Sequence, residues 1–336
     1  MRRPSSKLAD VAKLAGVSVA TASKALNDRK EVAPSTRLRV REAAQQLAFV
    51  HNRQARSLST GRTGIVGLLT SDLEGRFSLP ILMGAEDAFG AEQTSILLSD
   101  ARGDAVREAR HLDTFVQQRI DALMVVGSRT DPRRSLGSSY DFPIVYVYTP
   151  SESSADCSLT IDNVDAGFKV AEHLAMTGRR RVLHITGPLG DTAAMDRARG
   201  IDAFIAESDA SLRLGHRTNY GEWSERWGRS AALMAIGQGV EFDAVICDSD
   251  QIARGALDAF AARGITVPDE AAVASFDNWE LLVADASPPI TSVDMKLAEL
   301  GRQAARLLTD AIGGTPLPAG VHETNASLVV RGSTLR

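Results

Sequence analysis

The chain has 336 residues, 44% of them hydrophobic and 24% charged, the balance of a globular protein with room for two or three domains. No apolar run reaches the ~18 residues of a membrane span, no apolar stretch follows Met1-Arg2-Arg3 as a secretory signal requires, and two cysteines, Cys157 and Cys247, are too few for a disulfide framework. The net charge of −4 hides an asymmetry: residues 1–62 hold 13 Lys+Arg against 4 Asp+Glu, a balance of +9, and the remainder holds 25 against 38, a balance of −13. A basic front end on an acidic body predicts that the front end alone meets a polyanion, in a cytoplasmic, reducing setting.

Leu8, Val11, Ala12 and Ala15 recur at i, i+3, i+4 and i+7, one apolar face of a helix. Gly16 suits its C-cap, Val17 fills the turn, and Ser18 is an N-cap for a second helix. On that helix Ala22, Ala25 and Leu26 point one way, and Val19, Ala20, Ser23, Lys24 and Asn27 the other. Pro34 opens a third helix, with Val40, Ala43 and Leu47 on its inner face. Three short helices, with a four-residue turn between the first two, form a helix-turn-helix whose second helix enters the major groove. Asn52 then caps a short helix ending at Leu58, before Ser59-Thr60-Gly61. Such a segment is too short to be helical alone, so it is expected to fold on binding.

From Gly64 the period changes. The apolar runs at 64–70, 94–100, 121–128 and 143–149 have strand length, and helical spacing fills Leu82–Phe89 and Val106–Gln118. The pattern restarts with strands at 180–187, 243–250 and 271–278 and helices at Gly167–Met176, Ala194–Glu207 and Arg226–Ile236. Continuous apolar strands alternating with helices predict buried parallel sheets. Two such halves predict two doubly wound α/β subdomains, with ligand beyond the carboxyl ends of the strands.

The front end, "LADVAKLAGVSVATASKALN" with "VAPSTRLRVREAAQQLAFVHNRQARSL", resembles the lactose/galactose-repressor (LacI/GalR) family. The body resembles the same family's sensing part, shared with type I periplasmic binding proteins, through "GFKVAEHLAMTGRRRVLHITGP", "DRARGIDAF", "CDSDQIARGALDAF", "ASFDNWE" and "PPITSVD". The resemblance implies an all-α helix-turn-helix headpiece at 1–51, a hinge at 52–62 and an effector-binding and dimerisation body at 63–336. Within the body it implies an N-subdomain at about 63–160 and 290–322 and a C-subdomain at about 161–289 and 323–336. It casts Val19, Ala20 and Lys24 as base readers and Ser18, Thr21, Ser23 and Asn27 as phosphate contacts. Val19 and Ala20 offer apolar contact suited to a thymine methyl, and Lys24 donates to guanine. Many members have arginine at the Lys24 position; lysine lacks that bidentate fork. Ala55 and Leu58 match hinge positions that face the bases in the minor groove, with Leu58 as the wedge that kinks the duplex.

For the effector, the resemblance points to Phe77, Arg197, Trp223, Asp250, Asp277 and Asn278. Carboxylates accept from adjacent hydroxyls, arginine donates to them and an indole covers a pyranose face, so a carbohydrate is the expected effector. The loop "DLEGRFSLP" departs from the family's asparagine-proline-phenylalanine pattern, which leaves the effector's identity open. Trp227 and Trp279 are weaker site candidates. Arg76, Arg102 and Arg129 favour an anion if they face the cleft, but read as solvated surface; Arg179-Arg180-Arg181 reads as a solvated turn.

There is no Walker loop and no G-x-S-x-G, "GPLG" (187–190) is too short for a dinucleotide fingerprint, and the histidines have no metal-ligand spacing. No cofactor, metal or catalytic residue is expected, and no membrane partner. The chain stops at "RGSTLR", without the family's tetramer-forming leucine tail, so a homodimer on a pseudo-palindromic operator is expected. The alternatives are a DNA-binding regulator answering to a protein partner or an anionic metabolite, and a carbohydrate-active enzyme fused to a DNA-binding head, whose chemistry needs an acid and a base flanking one bond.

Overall fold

The computed structural model describes residues 6–26, 31–49, 61–71, 73, 76–90, 94–208 and 212–335. The chain divides into two units, residues 1–64 and 65–336.

Among its described residues the first unit holds three helices, α1 (Leu8–Ala15), α2 (Val19–Leu26) and α3 (Pro34–Gln46). Gly16 ends α1 in the left-handed conformation, φ 64°, where a side chain would be strained. The Asp10 carboxylate accepts the Lys7 N–H at 2.8 Å and closes the helix start. Ser18 Oγ accepts the Thr21 N–H at 3.0 Å, the expected N-cap of α2. Val11, Ala22, Ala25 and Val40 are wholly buried between the helices, and Val17, Leu26 and Leu47 pack against them. Alanines on the inner faces permit so tight a bundle.

The second unit carries two sheets. Strands β1 (Ile65–Thr70), β2 (Ser95–Asp100), β3 (Ala122–Val126), β4 (Ile144–Val147) and β5 (Cys157–Ile161) form the first, joined by β12 (Gly320–Thr324), in the order β12-β5-β4-β3-β1-β2. All its pairings are parallel. Helices α4 (Ser78–Gly90) and α5 (Ala105–Gln118) connect its strands. The second sheet contains β6 (Arg181–Thr186), β7 (Arg213–Leu214), β9 (Ala244–Cys247), β10 (Ala272–Phe276), β11 (Thr291–Asp294) and β13 (Ser327–Val329), in the order β13-β11-β10-β9-β6-β7, with β8 (Asn219–Tyr220) paired to β6. Among the described residues only β13 runs antiparallel. Its helices are α6 (Asn163–Met176), α7 (Thr192–Glu207), α8 (Glu225–Gly237), α9 (Asp250–Arg263) and α10 (Glu280–Val283); α11 (Leu297–Ile312) packs against α4.

Alternate residues of β3 show why the runs are apolar throughout. Ala122, Met124 and Val126 enter one core, and Leu123 and Val125 enter the core on the opposite face. β9 does the same with Ala244 and Ile246 against Val245 and Cys247.

Three helix pairs, α4 with α11, α6 with α7 and α8 with α9, cross at glycines contributed by both partners. A Cβ on Gly84 would meet the Ala298 carbonyl and one on Gly301 the Ile81 carbonyl; Gly167 with Gly200 and Gly228 with Gly255 repeat the arrangement. The helix backbones themselves are in contact.

The chain crosses between the sheets after β5, after β11 and after β12. The first and third crossings fall close to the expected 160 and 322. The second follows β11 rather than preceding it near 290, because Thr291–Asp294 pairs with β10 before the chain turns back. The run at 243–250 is a strand only to Cys247: Ser249 Oγ accepts the Ile252 N–H at 3.2 Å, so α9 begins at Asp250. Arg179 is not a solvated turn residue. It is 2% exposed and donates to the carbonyls of Asp243 and Pro268 at 3.2 and 2.6 Å, which ties the start of β6 to its neighbours.

Candidate DNA-reading face and ligand cavity

On α2 the buried stripe leaves the opposite face in solvent. Val19 is 49% exposed, and Ala20 and Lys24 are exposed. Thr21 and Ser23 lie half-buried at its edges. Lys24 Nζ lies 3.7 Å from Glu31 in an exposed pair, too weak to keep the lysine from a stronger anion. Ser18 is exposed and its hydroxyl already serves as the cap. The remaining expected contacts, Asn27, Ala55 and Leu58, and most of the hinge lie outside the described residues.

In the second unit a cavity of about 340 Å³ opens where the carboxyl ends of the strands in both sheets converge. The residues arrive beyond the strands' carboxyl ends: Arg76 and Phe77 after β1, Ser128 to Asp131 after β3, Tyr148 after β4, Asp191 after β6, Trp223 after β8, Gln251 after β9, and Asp277 and Trp279 after β10. Tyr148, Asp277 and Asn278 have φ of 71°, 96° and 48°. Such strained backbone gathers at binding sites.

Arg197, 2% exposed, reaches the cavity from α7. Its Nε donates to Asn163 Oδ1 at 2.9 Å, Nη1 donates to the Asp248 carbonyl, and Nη2 lies 3.7 Å from Asp277 Oδ1. Its guanidinium lies over Phe276, 4.5 Å from the ring centre. It does not pair with Asp196 or Asp202; Arg199 takes Asp196 at 3.0 Å. From the other sheet, Arg76 Nη2 donates to Asp277 Oδ2 at 2.6 Å. Asp277 thus joins the two subdomains with its side chain only 4% exposed.

Two further links cross the cleft. Asp131 Oδ1 accepts both the Thr192 N–H and its hydroxyl at 2.9 Å, so the N-terminus of α7 is capped from the opposite subdomain. The helix's own cap residue, Asp191, is thereby free to accept Trp223 Nε1 at 2.6 Å and Arg129 Nη1 at 3.3 Å. The Trp223 indole lies on Gly187, at a place where any Cβ would clash with the ring. Phe77 stacks on Tyr148 with centroids 4.9 Å apart. Burial, then the Asp277 carboxylate, pushes the Tyr148 hydroxyl above its usual range.

Of the six expected effector residues, Phe77, Arg197, Trp223 and Asp277 line this cavity. Asn278 lines an adjoining one and accepts Arg331 Nη2 at 2.8 Å. Asp250 does not reach the cavity. It is wholly buried: Oδ1 takes the Ser275 and Ser292 hydroxyls, and Oδ2 takes the Trp279 N–H at 2.6 Å. Burial, then the neighbouring Asp277 charge, pushes its carboxyl up to about 7. Asp250 instead holds the 277–279 loop through the Trp279 backbone.

Arg76 is largely buried in the cleft wall and Arg129 lines the cleft with its side chain 63% exposed, whereas Arg102 pairs with Asp100 outside it. Trp279 belongs to the cavity wall; Trp227 belongs to the core, its Nε1 donating to the Thr186 carbonyl at 2.9 Å. Sequence reasoning missed Asp131, Tyr148, Asp191 and Gln251. Their shared signal is position: each stands within a few residues of the end of an apolar strand. Among the described residues no cluster of His, Cys, Asp or Glu is arranged to hold a metal, and no helix is long and apolar enough to cross a membrane.

Residues 7–52 match the bacterial regulatory proteins of the lacI family, and residues 171–334 match the periplasmic binding protein-like domain. The chain is 31% identical over 327 residues to the HTH-type transcriptional regulator CelR of Thermobifida fusca, covering 93% of each chain. Its fold superposes on the lac repressor dimer bound to operator and the anti-inducer ONPF with a TM-score of 0.77, at 23% identity, over 99% of this chain and 100% of that one. It also superposes on the CelR–cellobiose complex with a TM-score of 0.66, at 27% identity, over 98% of this chain and 100% of that one. With a helix-turn-helix in one unit, paired parallel sheets around a cleft in the other, and a likeness to a curated regulator over nearly its whole length, this chain belongs to the lacI family of bacterial DNA-binding transcriptional regulators.

Proposed function

We propose that the chain is a transcriptional repressor that binds a pseudo-palindromic operator as a homodimer and is controlled by a neutral carbohydrate held in the interdomain cavity. The headpiece, residues 1–51, reads the major groove through Val19, Ala20 and Lys24, with Ser18, Thr21, Ser23 and Asn27 on phosphates. The hinge, residues 52–62, brings Ala55 and Leu58 to the minor groove. The body, residues 63–336, binds effector and dimerises, and no catalytic step is assigned to it.

The observation that carries the ligand class is the set of buried polar atoms in the cavity wall without a hydrogen-bond partner: Arg76 Nη1, Asp277 Oδ1 and Thr130 Oγ1. They are a donor, an acceptor and a hydroxyl, and each buried polar atom left so costs about 1–3 kcal/mol. Vicinal hydroxyls, which both donate and accept, answer all three. Arginines 76, 129 and 197 in this wall are matched in number by Asp131, Asp191 and Asp277, so the wall carries no surplus positive charge for an anion. Trp223 and Phe77 supply rings for a pyranose face. The relative CelR is seen in complex with cellobiose, which supports the same class.

Thermal melting of the purified protein against neutral sugars, sugar phosphates and sugar acids tests this. A neutral sugar at 100 times its dissociation constant stabilises by ~2.7 kcal/mol, which raises the melting temperature of a body this size by roughly 5–10 °C. Stabilisation by the phosphates or acids alone would overturn the neutral-sugar reading.

A further inference from the structure

Beside the cavity lies a second chamber, about 500 Å³ in volume. The two share Arg76, Phe77, Asp277 and Trp279. The second is completed by Asn278, Glu280 and the start of α11, including Lys296 and Glu299. Each chamber alone reaches the size of an ordinary small-molecule site, ~300–1,000 Å³. We infer that the effector is a linear, neutral oligosaccharide that occupies both chambers, crossing the Arg76–Asp277 bridge with Trp279 stacked on the unit in the second. This rests on the carbohydrate reading of the first chamber.

Three observations carry the inference. The Trp279 indole is 36% exposed at the junction of the chambers. It is nevertheless fixed: its backbone N–H is held by the buried Asp250 carboxylate, and the Arg76 guanidinium lies 5.5 Å from its ring centre. A rigid, half-exposed indole is a stacking platform for a sugar ring.

The charges of the second chamber are mostly paired already. Arg302 Nε donates to Glu299 at 2.7 Å, Arg331 Nη2 lies 3.3 Å from Glu280, and Asp294 accepts the Lys296 N–H at 2.8 Å. Among the described residues the Lys296 ammonium and the Asp294 carboxylate are the charges in that wall with no ion-pair partner, and Lys296 is exposed. A wall of mostly paired charges, with one spare donor and one spare carboxylate acceptor, suits hydroxyls and offers no binding pocket for a multiply charged anion.

Finally, the bridge between the chambers is itself half-used. Arg76 Nη2 holds Asp277, while the buried Nη1 has no hydrogen-bond partner. A glycosidic linkage passing over the bridge brings oxygens on both of its sides within reach of that donor.

Calorimetric titration of the full chain with homologous series tests the inference: glucose with cello- and malto-oligosaccharides, xylose with xylo-oligosaccharides, and mannose with manno-oligosaccharides, each from one to three units. Within the series that binds, affinity is expected to rise about tenfold or more from monosaccharide to trisaccharide. Lys296→Ala and Trp279→Ala should remove most of that rise, and Lys296→Ala should leave monosaccharide affinity unchanged. A monosaccharide that binds as tightly as its trisaccharide overturns the second chamber while the carbohydrate reading stands. So does a length dependence that both variants leave intact. Failure of every series, at every length, overturns both.

Discussion

Arg197→Ala is expected to lower the melting temperature by roughly 6–12 °C and to abolish the response to ligand. The side chain is 2% exposed, and its loss strands several groups at once. Asn163 Oδ1 and the Asp248 carbonyl lose their donor, and the buried Asp277 carboxylate keeps only Arg76. Breaking a buried charge pair costs about 3–5 kcal/mol; the surviving Arg76 contact places this case near the lower figure. A body this size shifts by ~2–4 °C per kcal/mol. Arg197→Lys should fall between, since an ammonium keeps the charge but not the planar fork that serves three partners at once. Unchanged melting together with a full ligand response would contradict the placement of Arg197 at the centre of the cleft.

Gly255→Ala is the second large effect. A Cβ at Gly255 would lie 1.9 Å from the Glu225 carbonyl oxygen and 2.6 Å from the Arg229 nitrogen, both backbone atoms of α8. No side chain can move aside to relieve that clash, so α8 and α9 must separate. Overpacking of this kind costs about 1–3 kcal/mol or more, against a gain of ~1 kcal/mol from the better helix propensity of alanine. The net expectation is a lower midpoint in urea unfolding. The consequence reaches the cavity, because α9 begins with Asp250 and Gln251: one holds the Trp279 backbone and the other lines the wall. Ligand affinity should therefore fall along with stability. A midpoint equal to or above that of the parent would show that the helices yield more easily than their backbone contact implies.

Much of the fold lay in local pattern. The headpiece helices follow from apolar residues three and four apart, and Gly16 marks a turn that needs positive φ. Strands β1 to β4, β6, β9 and β10 follow from short apolar runs, because both faces of each sheet are covered; β5, β11 and β12 lie outside the runs the sequence marks. Amphipathic α11, with Leu300, Ala304, Ala305 and Leu308 on one buried face, carried the same signal unread. The short β7, β8 and β13 carried almost none, since two or three half-buried residues have no period to detect.

The site divides in the same way. The family resemblance points to Arg197, Trp223 and Asp277, each of which follows a strand or stands on the helix after one. Asp250 has the same address, but its carboxylate meets Ser275, Ser292 and Trp279, residues 25 to 42 positions away. No local pattern shows that a residue at this address is buried against such distant partners and not set on the cavity wall. Asp131 could not have been foreseen as a helix cap, because the helix it caps begins 61 positions later in the other subdomain.

The most direct measurement is the affinity for an operator selected by this protein from randomised duplexes, at one fixed salt concentration, with and without the sugar that raises its melting temperature. Coupling between cleft and headpiece predicts a change of about fivefold or more, lost in Arg197→Ala. A sugar that stabilises the body and leaves operator affinity unchanged would contradict control of DNA binding from this cavity.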